Sequence, residues 1–168
     1  MSAQQRKKII EKQLKLRENL WPGLEDDKLW IRTQKDGFTT IPRLMPLILQ
    51  IMDGLSKGKP ISLTYLELWC RAYDECFVTL SKQEELAFHA GCTGQRALNT
   101  WKNKLKILHD LGFIDIKSGP NGPMSYVLLW NPYHVIKNLH QKKHAGLTQA
   151  AYTALVARAI DIGADDLE

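Results

Sequence analysis

The sequence predicts a mainly α protein with a small β-hairpin, lengthened at its N- and C-terminal ends by helices. Three observations predict this class. Apolar residues recur at spacings of three and four through residues 44–55 and 98–111, which is the period of a helix with one buried face. Two β-prone runs, "FIDIK" and "MSYVLLW", flank the turn-forming stretch "SGPNGP". A chain of 168 residues, 44% of them hydrophobic, has enough apolar material for one core with accessory ends.

The elements follow in order. Residues 3–20 are good helix formers, with Ile10, Leu14 and Trp21 as a thin apolar stripe, and Pro22 and Gly23 end the helix. That helix buries little by itself, so it packs on the domain, on a second subunit or along an anionic surface. Asp36-Gly37 suits the turn of a small hairpin within "KLWIRTQKDGFTTIP". From Pro42 to Leu55 the residues Leu44, Leu47, Ile48, Ile51, Met52 and Leu55 mark a buried helix whose start Pro46 restricts. After the loop "GLSKGKP" a further helix carries Leu63, Leu66, Leu68, Trp69, Ala72 and Tyr73, and "CFVTL" is a short β-prone run.

Ser81-Lys82-Gln83-Glu84 has the form of a capping box opening a helix that runs to His89 and stops at Gly91. Thr93 is placed to cap a second helix from about Gln95, with Leu98, Trp101, Leu105, Leu108 and Leu111 on its inner face. Gly112 ends it, and the hairpin follows. After Pro132, and again after Gly146, helix resumes, the last piece with Ala151, Leu155, Ala159 and Ile162 on one stripe. The expected organisation is an N-terminal basic helix and hairpin extension over 1–39, a central domain over 40–133 and a C-terminal helical extension over 134–168.

The succession short helix, glycine turn, long helix ending Leu111-Gly112-Phe113-Ile114, then hairpin, resembles the winged helix-turn-helix family of DNA-binding domains. The stretch "SKQEELAFHAGCTGQRALNTWKNKLKILHDLGFIDIKSGPNGPMSYVL" carries the resemblance, which covers residues 40–133. It implies a winged helix-turn-helix core, a recognition helix near 95–108 and a wing near 117–124. It also implies that helices outside the core serve as dimer elements.

Charge supports nucleic acid as the partner. The net charge is +5, and residues 93–107 hold Arg96, Lys102, Lys104 and Lys106 with no acid. A second basic segment holds Arg6, Lys7, Lys8, Lys12, Lys15 and Arg17 against Glu11, whereas Asp161, Asp165, Asp166 and Glu168 make the end acidic. The N-terminal cations either track phosphates or belong to a solubilising helix face or a disordered start. On the polar face of the second helix, Gln95, Arg96 and Asn99 are the types that pair with base edges. Lys102, Asn103 and Lys106, further along, suit phosphates. The plain alternative is a solvated helix face. On the wing, Lys117, Ser118 and Asn121 offer donors to phosphate, with an ordinary surface hairpin as the alternative.

The expected function is binding of double-stranded DNA, as a homodimer on a two-fold site, in transcriptional regulation. The expected location is the cytoplasm, on the nucleoid when DNA is bound. Replication or partition control of a mobile element is a second reading. A winged-helix module that binds protein is a third, suggested by Trp21, Trp30, Trp69, Trp101 and Trp130 and by the terminal helices; of these tryptophans, Trp101 shares the leucine face and reads as core. No apolar run approaches the roughly 18 residues of a membrane span, and "MSAQQRKKIIEK" lacks the apolar block of a secretion signal. No phosphate loop, nucleophile elbow or paired-carboxylate arrangement points to an enzyme, and no cofactor is expected. Cys70, Cys76 and Cys92 have no close Cys-x-x-Cys spacing for a metal and are expected reduced and mostly buried.

Overall fold

The computed structural model describes residues 3–165 and 167, the side chains of Ala3, Arg6 and Asp26 excepted. The Arg6 side chain, and Asp166 and Glu168 of the acidic end, therefore lie outside the described residues. The chain divides into two compact units, Met1–Phe38 and Thr39–Glu168. No helix among the described residues is long and apolar enough to cross a membrane.

The first unit is one long helix and a turn-rich tail. Helix α1, Ala3–Leu20, stops where Pro22 removes an amide and Gly23 takes a φ of +75°. Its stripe is open to solvent: Ile10, Leu14 and Trp21 are all exposed. The hairpin expected around Asp36-Gly37 does not form. Gly37 does bend the chain, at φ +71°, but a 3-10 turn over Arg32–Gln34 occupies what would be its first strand. Trp30 and Phe38 meet edge to face at 5.8 Å, so a side-chain contact closes the segment in place of a hydrogen-bonded ladder.

The second unit is mainly helical with a small antiparallel sheet. It contains α2 (Met45–Leu55), α3 (Ser62–Arg71), β1 (Phe77–Thr79), α4 (Gln83–His89), α5 (Ala97–Asp110), β2 (Ile114–Gly119), β3 (Gly122–Leu129), α6 (Pro132–Gln141) and α7 (Gln149–Ile162). Helix α2 starts at Met45 rather than Pro42, which puts Pro46 in the first turn, where its missing amide costs nothing. The run 77–79 pairs with β3, so the sheet has three strands in the order β1-β3-β2. Its inner face, Val78, Ile114, Val127 and Leu129, covers a core built from Ile48 and Met52 of α2, Tyr65 and Leu68 of α3, and Trp101, Leu105 and Leu108 of α5. Leu155 and Ala159 of α7 join the same core.

Helix starts show where local patterns mislead. Neither Ser81 nor Thr93 caps a helix. Lys82 holds the N-cap of α4 and Arg96 that of α5, each without a side-chain cap bond, and α5 begins at Ala97 rather than Gln95. The start of α4 is tied instead by the Gln83 amide, whose Nε2 donates to the Met124 carbonyl of β3 at 2.7 Å. The start of α3 is satisfied from another helix. Asp53 of α2 accepts from the Ile61 and Ser62 amides at 2.7 and 2.9 Å and from the Ser62 hydroxyl at 2.7 Å. Asn131 and Thr148 cap α6 and α7 in the ordinary way.

Two of the three cysteines differ from expectation: Cys92 is buried, but Cys70 and Cys76 are exposed. Cys70 lies on the outward side of α3, and Cys76 sits in the bend before β1 at φ +55°.

Gly119 is set by contact. A Cβ there would overlap the Tyr126 ring and lie 2.9 Å from Ser125 Cβ, so the ring covers the strand where a side chain would stand. Gly119→Ala is therefore expected to destabilise the protein by about 1–3 kcal/mol through overpacking. Urea unfolding measures this, and an unchanged midpoint would show that the Tyr126 ring swings aside freely.

Candidate nucleic-acid interface

Helix α5 is anchored on one side and open on the other. Trp101, Leu105 and Leu108 are fully buried, which fixes the helix's rotation. That rotation turns Asn99, Asn103 and Lys106 outward, with Lys102 half-buried beside them. Gln95 and Arg96 are exposed in the turn just ahead of the helix, after Gly94 at φ +83°. From Arg96 to Lys106 the face is about 15 Å long at helical rise, a length that fits within a groove of duplex DNA.

The electrostatics of this face are those of an unsatisfied cation array. Among the described residues no ion pair involves Arg96, Lys102, Lys104 or Lys106, and no acid lies in the first turn of α5. The first turn also lacks a side-chain acceptor: the Ala97 amide donates to the Gly94 carbonyl at 3.1 Å, and the Leu98 and Asn99 amides are left for solvent or an anion. Acids on the neighbouring α4 are partly compensated. Glu85 lies 3.5 Å from Lys82 and 3.6 Å from Arg71, and the Lys82 charge draws its carboxyl below the usual range.

A polar cluster braces α4 against α3. Arg71 bonds Glu67 through Nε, and its Nη2 lies 2.7 Å from His89 Nδ1. With Glu85 on the same guanidinium, the cluster fixes the helix that precedes α5.

The hairpin is held by a buried hydroxyl. Ser125 is fully buried; its Oγ accepts from the Asn121 amide at 2.9 Å and donates to the Gly122 carbonyl at 2.9 Å. Gly119 pairs with Gly122, leaving Pro120 and Asn121 as the loop, and Gly122 takes a φ of +99°. Asn121 is exposed at the tip. Lys117 is less available than its sequence position suggests, because its Nζ lies 3.0 Å from Asp115 Oδ2. The hydrogen bond from Lys117 holds the Asp115 carboxyl below the ordinary carboxylate range, with the Ile116 amide helping.

The structure thus brings Gln95, Arg96, Asn99, Lys102, Asn103 and Lys106 onto one surface and sets Lys117 and Asn121 on the hairpin, whose strand β2 packs on α5. The sequence reading overlooked Ser125, although its alternation with Val127 and Leu129 places it on the inner face of β3. It also overlooked Asp115, two residues from Lys117 and so on the same face of β2. In the first unit, Lys7, Lys8, Lys12 and Lys15 are exposed. No group of three or more His, Cys, Asp or Glu among the described residues is placed to hold a metal ion.

Comparison with protein-family models, with curated proteins and with solved structures finds no match to this chain.

Proposed function

We propose that this chain binds double-stranded DNA through α5 and acts as a transcriptional regulator with a winged helix-turn-helix core. The observation that carries the reading is the α5 face itself: unpaired cations, amide side chains and an uncapped first turn, all on one exposed side of a helix whose other side is locked in the core. Such a helix fits the major groove, where Arg pairs with guanine edges and Asn and Gln with adenine. Gln95, Arg96 and Asn99 then face bases. Lys102, Asn103 and Lys106 face phosphates, and the hairpin lies along the backbone with Asn121 at its tip.

The order helix, strand, helix, helix, hairpin, with the short strand closing on the hairpin, supports the winged-helix assignment. Binding as a homodimer on a two-fold site completes the reading, and the working place is the cytoplasm, on the nucleoid. The DNA contact would serve replication or partition control of a mobile element equally well. A protein-binding role has its own observation: Tyr73, Phe77, Phe88 and Trp130 are exposed aromatics in the second unit.

A gel-shift titration of the wild type on a mixed-sequence duplex tests the DNA reading. Affinity is expected to fall steeply, by about tenfold or more, between 50 and 200 mM salt, as release of counterions by several phosphate contacts requires. Absence of any shift at 50 mM salt would remove the proposal.

A further inference from the structure

A second lysine-bearing surface lies on elements other than α5, where α2 and α6 end. Helices α2 and α6 each end in a turn that holds a lysine in the left-handed conformation: Lys57 at φ +51°, followed by Gly58 at φ +82°, and Lys143 at φ +51°. Glycine and asparagine take this conformation with least strain, and only three non-glycine residues among those described adopt positive φ. Each of the two lysines has a lysine neighbour, Lys59 and Lys142, and all four are exposed.

The two turns meet. A Cβ on Gly146, after the α6 turn, would lie 3.1 Å from the Leu55 Cα at the end of α2, and one on Gly54 would lie 3.8 Å from the Gly146 carbonyl oxygen. Two helix C-termini therefore converge and carry four cations between them. No ion pair among the described residues involves any of the four. Asp53, the acid nearest in sequence to the α2 turn, has both carboxylate oxygens engaged at the start of α3. A cation near a helix C-terminus is favoured by the helix dipole. A lysine before the cap would gain the same attraction without the left-handed backbone, so the dipole alone does not explain this arrangement.

We propose that Lys57, Lys59, Lys142 and Lys143 form a second phosphate-contact surface, which engages the backbone of duplex DNA outside the segment held by α5. The inference rests on the reading of α5 as the DNA-contacting helix. Because lysine meets phosphate as a point charge, this surface adds affinity without sequence preference, and it adds it only on DNA long enough to reach beyond the α5 contact.

Lys57→Gly/Lys143→Gly is the decisive double variant, since glycine suits both backbone positions and the fold is retained while two charges are removed. Fluorescence anisotropy would follow wild type and variant on 10-bp and 40-bp mixed-sequence duplexes over a range of salt. On the long duplex the slope of log affinity against log salt is expected to fall by about 1.8 per bound protomer, with affinity roughly 10- to 100-fold weaker per protomer at 0.1 M salt. On the short duplex the slope should not change, and Lys57→Arg/Lys143→Arg should keep the wild-type slope on both. An unchanged slope on the long duplex overturns the second surface, and an equal fall on both lengths overturns its separateness from α5. Failure of the wild type to bind either duplex overturns the reading of α5 itself.

Discussion

Replacing Arg96, Lys102 and Lys106 together by alanine is expected to lower duplex affinity by about 10²- to 10³-fold at 0.1 M salt and to reduce the salt slope by about 1.8 per bound protomer, the counterion release of the two phosphate contacts of Lys102 and Lys106, with the lost Arg96 base contact adding to the fall in affinity. The effect is large because these cations have no intramolecular partner to fall back on: none is held in an ion pair among the described residues. The same independence makes the substitution harmless to the fold. Arg96 and Lys106 are exposed, Lys102 is half-buried, and alanine suits the helix at positions 102 and 106, so unfolding free energy should move by no more than about 1 kcal/mol. Filter binding paired with urea unfolding checks both halves. Loss of affinity with equal loss of stability would mean that the lysines hold the helix and not a ligand.

Asp53→Ala carries the largest expected effect on stability, about 2–4 kcal/mol, because three charge-assisted hydrogen bonds end on one carboxylate. Its removal leaves the Ile61 and Ser62 amides at the start of α3 without an acceptor, and Ile61 itself is fully buried. The consequence reaches α5 through packing: α3 contributes Tyr65 and Leu68 to the core that α5 sits on. Asp53→Asn keeps one acceptor oxygen and should lose about half as much. Thermal unfolding of the two variants measures the difference. Equal, small losses would show that water replaces the carboxylate at no cost.

How much of this was legible in the sequence depends on whether the cause is local. Helix α5 was legible because Leu98, Trp101, Leu105 and Leu108 repeat at helical spacing and Gly112 stops the run, all within one window. The hairpin was legible because Gly119, Pro120, Asn121 and Gly122 are turn formers between β-prone runs. The pairing of β1 was not, since three residues have no usable period and their partner strand lies far along the chain. The Asp53 cap was equally hidden, because a carboxylate on one helix serves the start of the next. Where local rules failed, a tertiary alternative had taken over. Ser81 offered a cap, but Gln83 reached β3 and the helix began after Lys82. Asp36-Gly37 signalled a bend, and a bend is what exists, without strands to either side.

The candidate site divides in the same way. Its polar face followed from the position of the apolar one, so Asn99, Asn103 and Lys106 point outward from α5 as the wheel predicts, with Gln95 and Arg96 exposed in the turn ahead of it. The state of each charge did not follow. Lys117 stands in the sequence as the one cation of the hairpin, and only the fold brings it within 3.0 Å of its strand neighbour Asp115. In the proposed DNA complex the hairpin would then act through Asn121 and the backbone more than through charge, with α5 supplying most of the contact.

Mapping amide chemical shifts while a short mixed-sequence duplex is titrated into the 15N-labelled protein at low salt tests the central claim most directly. Perturbations are expected to concentrate at Gly94–Lys106, with a smaller set at Lys117–Gly122. Shifts confined to α1 or to the outer face of the sheet around Phe77 and Tyr126, with α5 silent, would contradict it.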